Sequence, residues 1–389
     1  MNPLLITGWG NSITIDKRRL IITNKPEAKT QIFYPHQIPY DSIIIDGHSG
    51  NISFDAIRWI IKHDMVISTL NWNGQLLSVT LPKEPVSARL RFKQYEAYTD
   101  SRRRSAIGAS IIKEKVKQSI NLLNELSNYY PEIDAEKLNV EHLNNYKSLL
   151  TVEGNEAIAY WDNLRMIFNK LYPEFNFTGR NGRRHSWNMN ASDEVNALLN
   201  YGYGLLESEI RRDISAVGLD NAISFVHELK DSRSSLVYDL QELFRWLCDL
   251  SVIQLLEEKK IKKSDFIVTE SYCLRLRESG AKMLLEKMRI NFNSTAEFKG
   301  KNYSYANILY ENIANFAKSI LNDAPAEFNI HFVELRRYDT ESMREKILNI
   351  TPEEQRRLGL RRNTLWYQKK HIREGRKIKI YRKVRDKIG

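Results

Sequence analysis

Four side chains spread along the chain have types and spacings that could do chemistry. They are Glu153 in VEGNEAIAYWDNL, His227 in GLDNAISFVHELK, and Asp239 and Glu242 in SSLVYDLQELFR. If Glu153, His227 and Glu242 converge, two carboxylates and one imidazole form a mixed oxygen and nitrogen donor set. Such a set suits Mg²⁺ or Mn²⁺, with positions left open for water and a phosphate oxygen. A metal so held can polarise a scissile phosphate and activate an attacking hydroxyl. Each residue also has a purely structural explanation. Glu153 follows Thr151 at the expected opening of a helix, where the dipole favours an acid. A lone histidine is commonly a satisfied structural residue, and Asp239 and Glu242, three apart on one helical face, are equally a solvated border of the core. No P-loop, dinucleotide fingerprint, GxSxG elbow or HExxH helix occurs in the chain, so chemistry rests on these dispersed acids and the histidine.

The elements that must position them are helical. Apolar spacing predicts helices over Arg89–Tyr98, Ala106–Tyr129, Val140–Leu150, Glu153–Lys170, Asp193–Val217 and Ser235–Glu258. Ahead of them, residues 1–81 read as a small β-rich domain, with strands at Leu4–Gly8, Ser12–Asp16, Arg19–Thr23, Ser42–Asp46 and Met65–Trp72 and one helix at Ser53–His63. Asn73-Gly74 is a hairpin signal. The segment 82–86 around LPKEP reads as a linker, and residues 87–322 as the helical domain carrying the site. The fold class is therefore α+β: a small β-rich domain, a larger, mostly α-helical catalytic domain, and a basic C-terminal extension over 323–389.

The last 47 residues of that extension hold all of the chain's positive excess. The 389 residues contain 59 Lys+Arg and 48 Asp+Glu, a net charge of +11, and Met343–Gly389 alone contributes 16 basic against 5 acidic side chains. Within it, ITPEEQRRLGLRRNTLWYQKKHI has Thr351 as N-cap, Pro352 at the first helical position and Glu354 three residues after the cap. Gly359 stops that helix and a second is expected near Asn363. The pair, over about 350–373, resembles a helix-turn-helix reader with Arg361, Arg362, Asn363 and Lys369 as DNA contacts. In the body, Arg102 to Arg104 and the loop arginines Arg180, Arg183 and Arg184 suit phosphate contacts, with surface solvation as the alternative. DNA affinity and its salt dependence are thus expected to come from the tail more than from the charge-balanced body.

Composition narrows the class further. With 42% hydrophobic residues and only 10 prolines the chain can bury a core. Its two cysteines, Cys248 and Cys273, form no CxxC pair, which excludes a disulfide framework and a cysteine-based zinc site and fits a reducing cytoplasm. No run of 18 apolar residues and no basic, apolar leader at MNPLLITGWG suggest membrane insertion or secretion.

Beyond these readings, the ordered segments EGNEAIAYW, NALLNYGYGLL, GLDNAISFVHE and SSLVYDLQELFR, with GWGNSITIDKRRLII and RLRFKQYEAYTDSRRRSAIGASIIKEKVKQSINLL before them, resemble the CRISPR-associated protein one family. These are metal-dependent integrases that insert DNA at CRISPR arrays, and the resemblance covers nearly the whole chain. It implies metal ligands at Glu153, His227 and Glu242, with Asp239 assisting the metal or DNA; some members carry Asp where this chain has Glu242. It also implies a homodimer built through the β domains, duplex DNA with 3′-hydroxyl ends as substrate, and transesterification of a target phosphodiester. CRISPR-associated protein two is the implied partner in spacer acquisition. Spacer acquisition is the leading role and a casposase, a relative that integrates mobile elements with terminal inverted repeats, the alternative; the long tail leaves both open. The rival from another class is a non-catalytic DNA-binding protein whose acidic residues are structural.

Overall fold

The computed structural model describes residues 1–25, 28–47, 49–71, 74–82, 87–127, 129–130, 133, 146–180, 191–227, 234–268, 274–330 and 341–374, with backbone only at 146–153 and 341–343. The chain divides into two compact units, Met1–Val333 and Glu334–Gly389.

Two four-stranded sheets open the first unit. One has the order β1-β5-β7-β8, from β1 (Pro3–Gly8), β5 (Ser42–Gly47), β7 (Val66–Leu70) and β8 (Leu76–Thr80). In it β1, β5 and β7 run parallel and β8 returns antiparallel. The other has the order β4-β3-β2-β6, from β2 (Asn11–Asp16), β3 (Arg19–Asn24), β4 (Lys29–Phe33) and β6 (Gly50–Ile52). Helix α1 (Phe54–Lys62), capped by the Ser53 hydroxyl accepting from Ala56 N, closes a core of Leu4, Ile13, Leu20, Ile43, Ile60 and Ile67. The sequence reading overlooked β4, β6 and β8. All three lie at sheet edges, β6 has only three residues, and most of their side chains face solvent or are half-buried, so the apolar alternation that marks a strand is weak in them. The hairpin at Asn73-Gly74 is present as β7–β8, with Gly74 at φ +79° donating to Asn71 O; Trp72 and Asn73 themselves lie outside the described residues.

Helices follow: α2 (Ala88–Thr99), α3 (Ser101–Ser127), α4 (Tyr146–Leu171), α5 (Glu194–Val217), α6 (Ser235–Gln241), α7 (Arg245–Glu257), α8 (Glu278–Asn293) and α9 (Tyr305–Leu321). Three expectations change. The two helices anticipated at Val140–Leu150 and Glu153–Lys170 are, where described, the single helix α4. The single helix anticipated over Ser235–Glu258 breaks between α6 and α7, where Leu243 and Phe244 turn into the core on i→i−3 hydrogen bonds to Leu240 and Gln241. Strand signals nearly vanish from the sequence after the linker, yet short pairs occur there: β9 (Phe266–Val268) with β10 (Leu274–Leu276) and β11 (Thr295–Phe298) with β12 (Lys301–Ser304).

Helix α5 is buried on nearly every side and holds the β sheet to the helices. Its Tyr201 hydroxyl donates to Asp46 of β5 at 2.8 Å, and its Ser208 hydroxyl hydrogen-bonds Ser68 of β7. The small residues of the YGYG run make this approach possible: a Cβ on Gly204 would stand 2.4 Å from the carbonyl oxygen of Gly74 in the β7–β8 turn. The first unit's packing continues past α9, where Phe328 lies against Phe316 and the Asn312 amide bonds both sides of Asn329.

The second unit folds around its own small core. Helices α10 (Glu341–Asn349), α11 (Pro352–Arg357) and α12 (Arg362–Arg373) bury Ile347, Ile350, Leu360, Leu365 and Ile372 together. The capping box is as read from the sequence: Thr351 Oγ1 accepts from Glu354 N while the Glu354 carboxylate accepts from Thr351 N. Gly359, at φ +60°, ends α11. Substituting Gly204 by alanine forces the β7–β8 turn away from α5 and is expected to destabilise the fold by about 1–3 kcal/mol, read as a lower urea midpoint at unchanged slope.

Candidate active site

The most constrained group in the helical layer is the Asp239 carboxylate on α6, which is fully buried. Oδ2 accepts from the Ser224 hydroxyl at 2.9 Å, Phe225 N at 2.6 Å and Val226 N at 3.1 Å. Oδ1 accepts from His227 N at 3.2 Å and lies 2.7 Å from His227 Nδ1. Three successive backbone N–H groups and a hydroxyl thus wrap one anion, and the loop 224–227 takes its shape from it. Because a carboxylate accepts, the ring proton sits on Nδ1. The neutral imidazole then presents the lone pair of Nε2, which is the arrangement that prepares histidine as a metal ligand. The His227 side chain keeps 32% of its surface exposed, so the ring reaches out of the core.

Asp239, fully buried and bound to residues 224–227, is placed to act on the site through His227. Glu242 is the residue at which α6 ends, and its carboxylate goes elsewhere: Oε1 to Arg245 Nη1 at 2.7 Å and Oε2 to Lys115 Nζ at 2.9 Å. Burial would raise the carboxyl's pKa, but the Arg245 and Lys115 cations outweigh it and hold the group down at about 2. Glu242 is ionised at any working pH.

Glu153 lies on α4 seven residues after Tyr146, so the first-turn dipole explanation for an acid there no longer applies. Its side chain is outside the described residues. Its position is one turn before Glu156 and Ala157, on the same face of the helix. Glu156, Ala157, Tyr160 and Trp161 of α4 line a cavity of about 60 Å³ together with Lys115, Glu242 and Arg245. That is room for an ion and some water. Helix α3 ties the two halves of the site: Ile112 and Val116 pack against Val226, the neighbour of His227, while Lys115 reaches Glu242. Among the described residues no three potential ligands form a cluster; the third ligand of the anticipated set, Glu153, is described by backbone only.

A buried polar network backs the cavity. Asp249 accepts from the Tyr160 hydroxyl at 2.6 Å and the Tyr203 hydroxyl at 2.5 Å, and the Arg245 guanidinium lies 4.3 Å from the Tyr203 ring centroid. Burial raises the Asp249 carboxyl's pKa against the two tyrosine bonds and the neighbouring arginines. Arg180, grouped from its sequence with the phosphate-binding arginines, is instead part of this network. It donates to Asn196 and Asn200 at 2.8 and 2.9 Å and lies over Trp161 and Tyr203, and burial lowers its pKa. Sequence reasoning missed Lys115, Ser224, Arg245 and Asp249. Only Arg245, three residues beyond Glu242 at helical spacing, left a readable signal.

The anticipated DNA contacts fall into three groups. Arg102, Arg361, Arg362 and Asn363 are exposed. Arg103 pairs with Asp323 at 2.6 Å, and the Lys369 ammonium donates to Ile350 O at 2.7 Å, tying α12 to the end of α10. Arg183 and Arg184 lie outside the described residues. No described helix is long and apolar enough to cross a membrane.

A β-rich region thus leads into a mostly helical domain that carries an outward histidine on the loop 224–227 and, lining a small cavity, the Glu242 carboxylate, donors of the kind that hold a divalent cation. Comparison with known proteins places the chain. The family described as CRISPR associated protein Cas1 matches residues 4–289. The CRISPR-associated endonuclease Cas1 1 of Archaeoglobus fulgidus is 27% identical over 327 residues, covering 79% of this chain and 92% of that protein. Among solved structures, a casposase bound to integration product is similar with a TM-score of 0.80 and 35% identity, covering 90% of this chain and 99% of that one. The Cas1 protein of Thermotoga maritima shares the fold, with a TM-score of 0.67 and 17% identity, covering 85% of this chain and all of its own. The chain belongs to the Cas1 family. It is an endonuclease/integrase of that family, whose chemistry is metal-dependent.

Two of the site residues described by side chain, Asp239 and His227, are expected to fail differently. Replacing Asp239 by alanine strands the loop's donors and should cost about 3 kcal/mol of stability by urea unfolding. Replacing His227 by alanine should cost less than about 1 kcal/mol while abolishing metal-dependent DNA cleavage in the same preparation.

Proposed function

We propose that the protein is a casposase: a metal-dependent integrase that joins the 3′-hydroxyl ends of a mobile element to a target phosphodiester. One observation carries this reading above CRISPR spacer acquisition. The likeness to the casposase spans about 350 residues, more than the 333 of the first unit, so it extends into the basic second unit. The Thermotoga Cas1, matched over its whole length, accounts for a share of this chain no larger than that unit. The 35% identity to the casposase also exceeds the 27% to the Archaeoglobus endonuclease. The order in which the sequence reading ranked the two roles is therefore reversed.

In this reading Glu153, His227 and Glu242 hold Mg²⁺ or Mn²⁺, and the donor chemistry fits: an ionised carboxylate and a histidine whose Nε2 lone pair is presented by Asp239. When bound, the metal would polarise the phosphate and favour the attacking alkoxide. The chain's own residues do the rest. Asp239 keeps the imidazole in one tautomer and orientation, and Arg245 keeps Glu242 charged. In the strand-transfer step the 3′-oxygen forms a new bond to the target phosphorus, the target's own P–O3′ bond breaks, and the departing 3′-oxygen takes up a proton. A single phosphodiester is exchanged for another, so no external energy source is needed.

The second unit supplies end recognition. One side of α12 exposes Arg362, Asn363, Trp366, Tyr367, Lys370 and Arg373, a combination of phosphate-binding cations, an amide able to read adenine and two aromatic rings. Duplex DNA with 3′-hydroxyl ends is the substrate, and the working form is a homodimer through the β-rich region.

The test is strand transfer of a labelled duplex oligonucleotide into supercoiled plasmid with Mn²⁺ and the full-length protein alone. The expected result is joining without any second protein, favouring the element's own terminal repeats over random duplex. Glu153→Ala or His227→Ala should lower it more than about 100-fold. Joining that required CRISPR-associated protein two and a repeat array would instead support the spacer-integrase role, and undiminished joining by both variants would refute the site.

A further inference from the structure

The carboxylate assigned to the metal is already occupied by protein cations, and the two are not equivalent. Arg245 is fixed: it opens α7, reaches back three residues to Glu242 Oε1 and lies against the Tyr203 ring, whose hydroxyl is itself held by Asp249. Lys115 comes from another helix, α3, on a four-carbon stem and lines the cavity with Glu156 and Trp161; exposure does not separate the two cations, at 21% for Lys115 and 27% for Arg245. Its ammonium, 2.9 Å from Glu242 Oε2, stands at the oxygen that Arg245 leaves. A divalent cation cannot share that oxygen with an ammonium at contact distance, because the like charges repel strongly in a largely dry site. One of the two cations must leave, and Arg245 cannot do so without disturbing the aromatic and hydrogen-bonded packing behind it.

We propose that Lys115 is a displaceable counter-ion, which neutralises Glu242 when no metal is bound and moves to a DNA phosphate oxygen when metal arrives. The proposal rests on the assignment of Glu242 as a metal ligand. No bond is made or broken; an ion pair is exchanged. The ammonium costs the site metal affinity in the absence of DNA, and a phosphate that gives it a new partner restores that affinity. Metal and DNA binding are then coupled through one side chain, each strengthening the other by the same factor. Lys115 is a positioning residue in this account, and its effect appears in binding before any chemistry occurs.

The experiment is Mn²⁺ titration of the full-length protein, followed by the electron paramagnetic resonance signal of free Mn²⁺, with and without a short duplex. Lys115→Met should bind Mn²⁺ about tenfold or more tightly than the native protein without DNA. Lys115→Gln should fall between them and serves if the methionine variant does not fold, as judged by circular dichroism. Lys115→Arg, whose fork can span both oxygens, should bind more weakly. Duplex should tighten Mn²⁺ binding to the native protein and leave that of Lys115→Met unchanged. Folded neutral variants whose Mn²⁺ affinity is equal to or weaker than native would overturn the counter-ion role. Glu242→Gln separates the two layers: Mn²⁺ binding at native strength in that variant would remove Glu242 as a ligand and the proposal with it.

Discussion

Everything that the site can do depends on one buried anion. Asp239 has no solvent contact, and its charge is tolerated inside the protein because four N–H or O–H groups of residues 224–227 and the His227 ring all point at it. The same bonds that stabilise the carboxylate fix the loop, and the loop's last residue is the histidine. Structural necessity and functional orientation are satisfied by a single group.

The rest of the helical layer is arranged around that point. The buried helix α5 brings Tyr203 beneath Arg245, and Arg245 holds Glu242; the next residue of the same YGYG run, Gly204, seats the β7–β8 turn. The β-rich region and the cavity are therefore joined through one rigid element. Polar groups behind the cavity are satisfied in pairs and triads, with Asp249 between two tyrosine hydroxyls and Arg180 between two asparagines and two aromatic faces. Such packing holds Arg245 against the Tyr203 ring, while Lys115 reaches the same carboxylate from a different helix, α3.

How much of this was readable follows residue type. Strands with a clear apolar alternation, such as Leu4–Gly8 and Arg19–Thr23, and helices with a long apolar stripe, such as Asp193–Val217, are present within a residue or two of where the pattern puts them. Edge strands with solvent-facing side chains gave no such pattern. The break after Gln241 was invisible because Leu243 and Phe244 are as apolar as the helix on either side, so spacing alone continues through it. Glu242 could be singled out by type, but its partners could not: Lys115 is 127 positions away and nothing local marks it. The capping box at Thr351 was legible in full, because its chemistry is confined to four consecutive residues. Arg180 misled for the opposite reason, since a polar, glycine-containing surrounding gives no hint that the guanidinium turns inward between Asn196 and Asn200.

The central claim is that Asp239 holds His227 in the Nδ1–H tautomer with Nε2 presented for a metal. Nitrogen-15 spectra of the histidine rings, eight in the chain, assign it directly when native protein is compared with His227→Ala and Asp239→Asn variants. The account predicts that, in metal-free native protein at neutral pH, the His227 ring shows a protonated Nδ1 and an unprotonated Nε2, and that Asp239→Asn collapses the pair toward averaged tautomers. A ring protonated at Nε2, or one already averaging in the native protein, would contradict it.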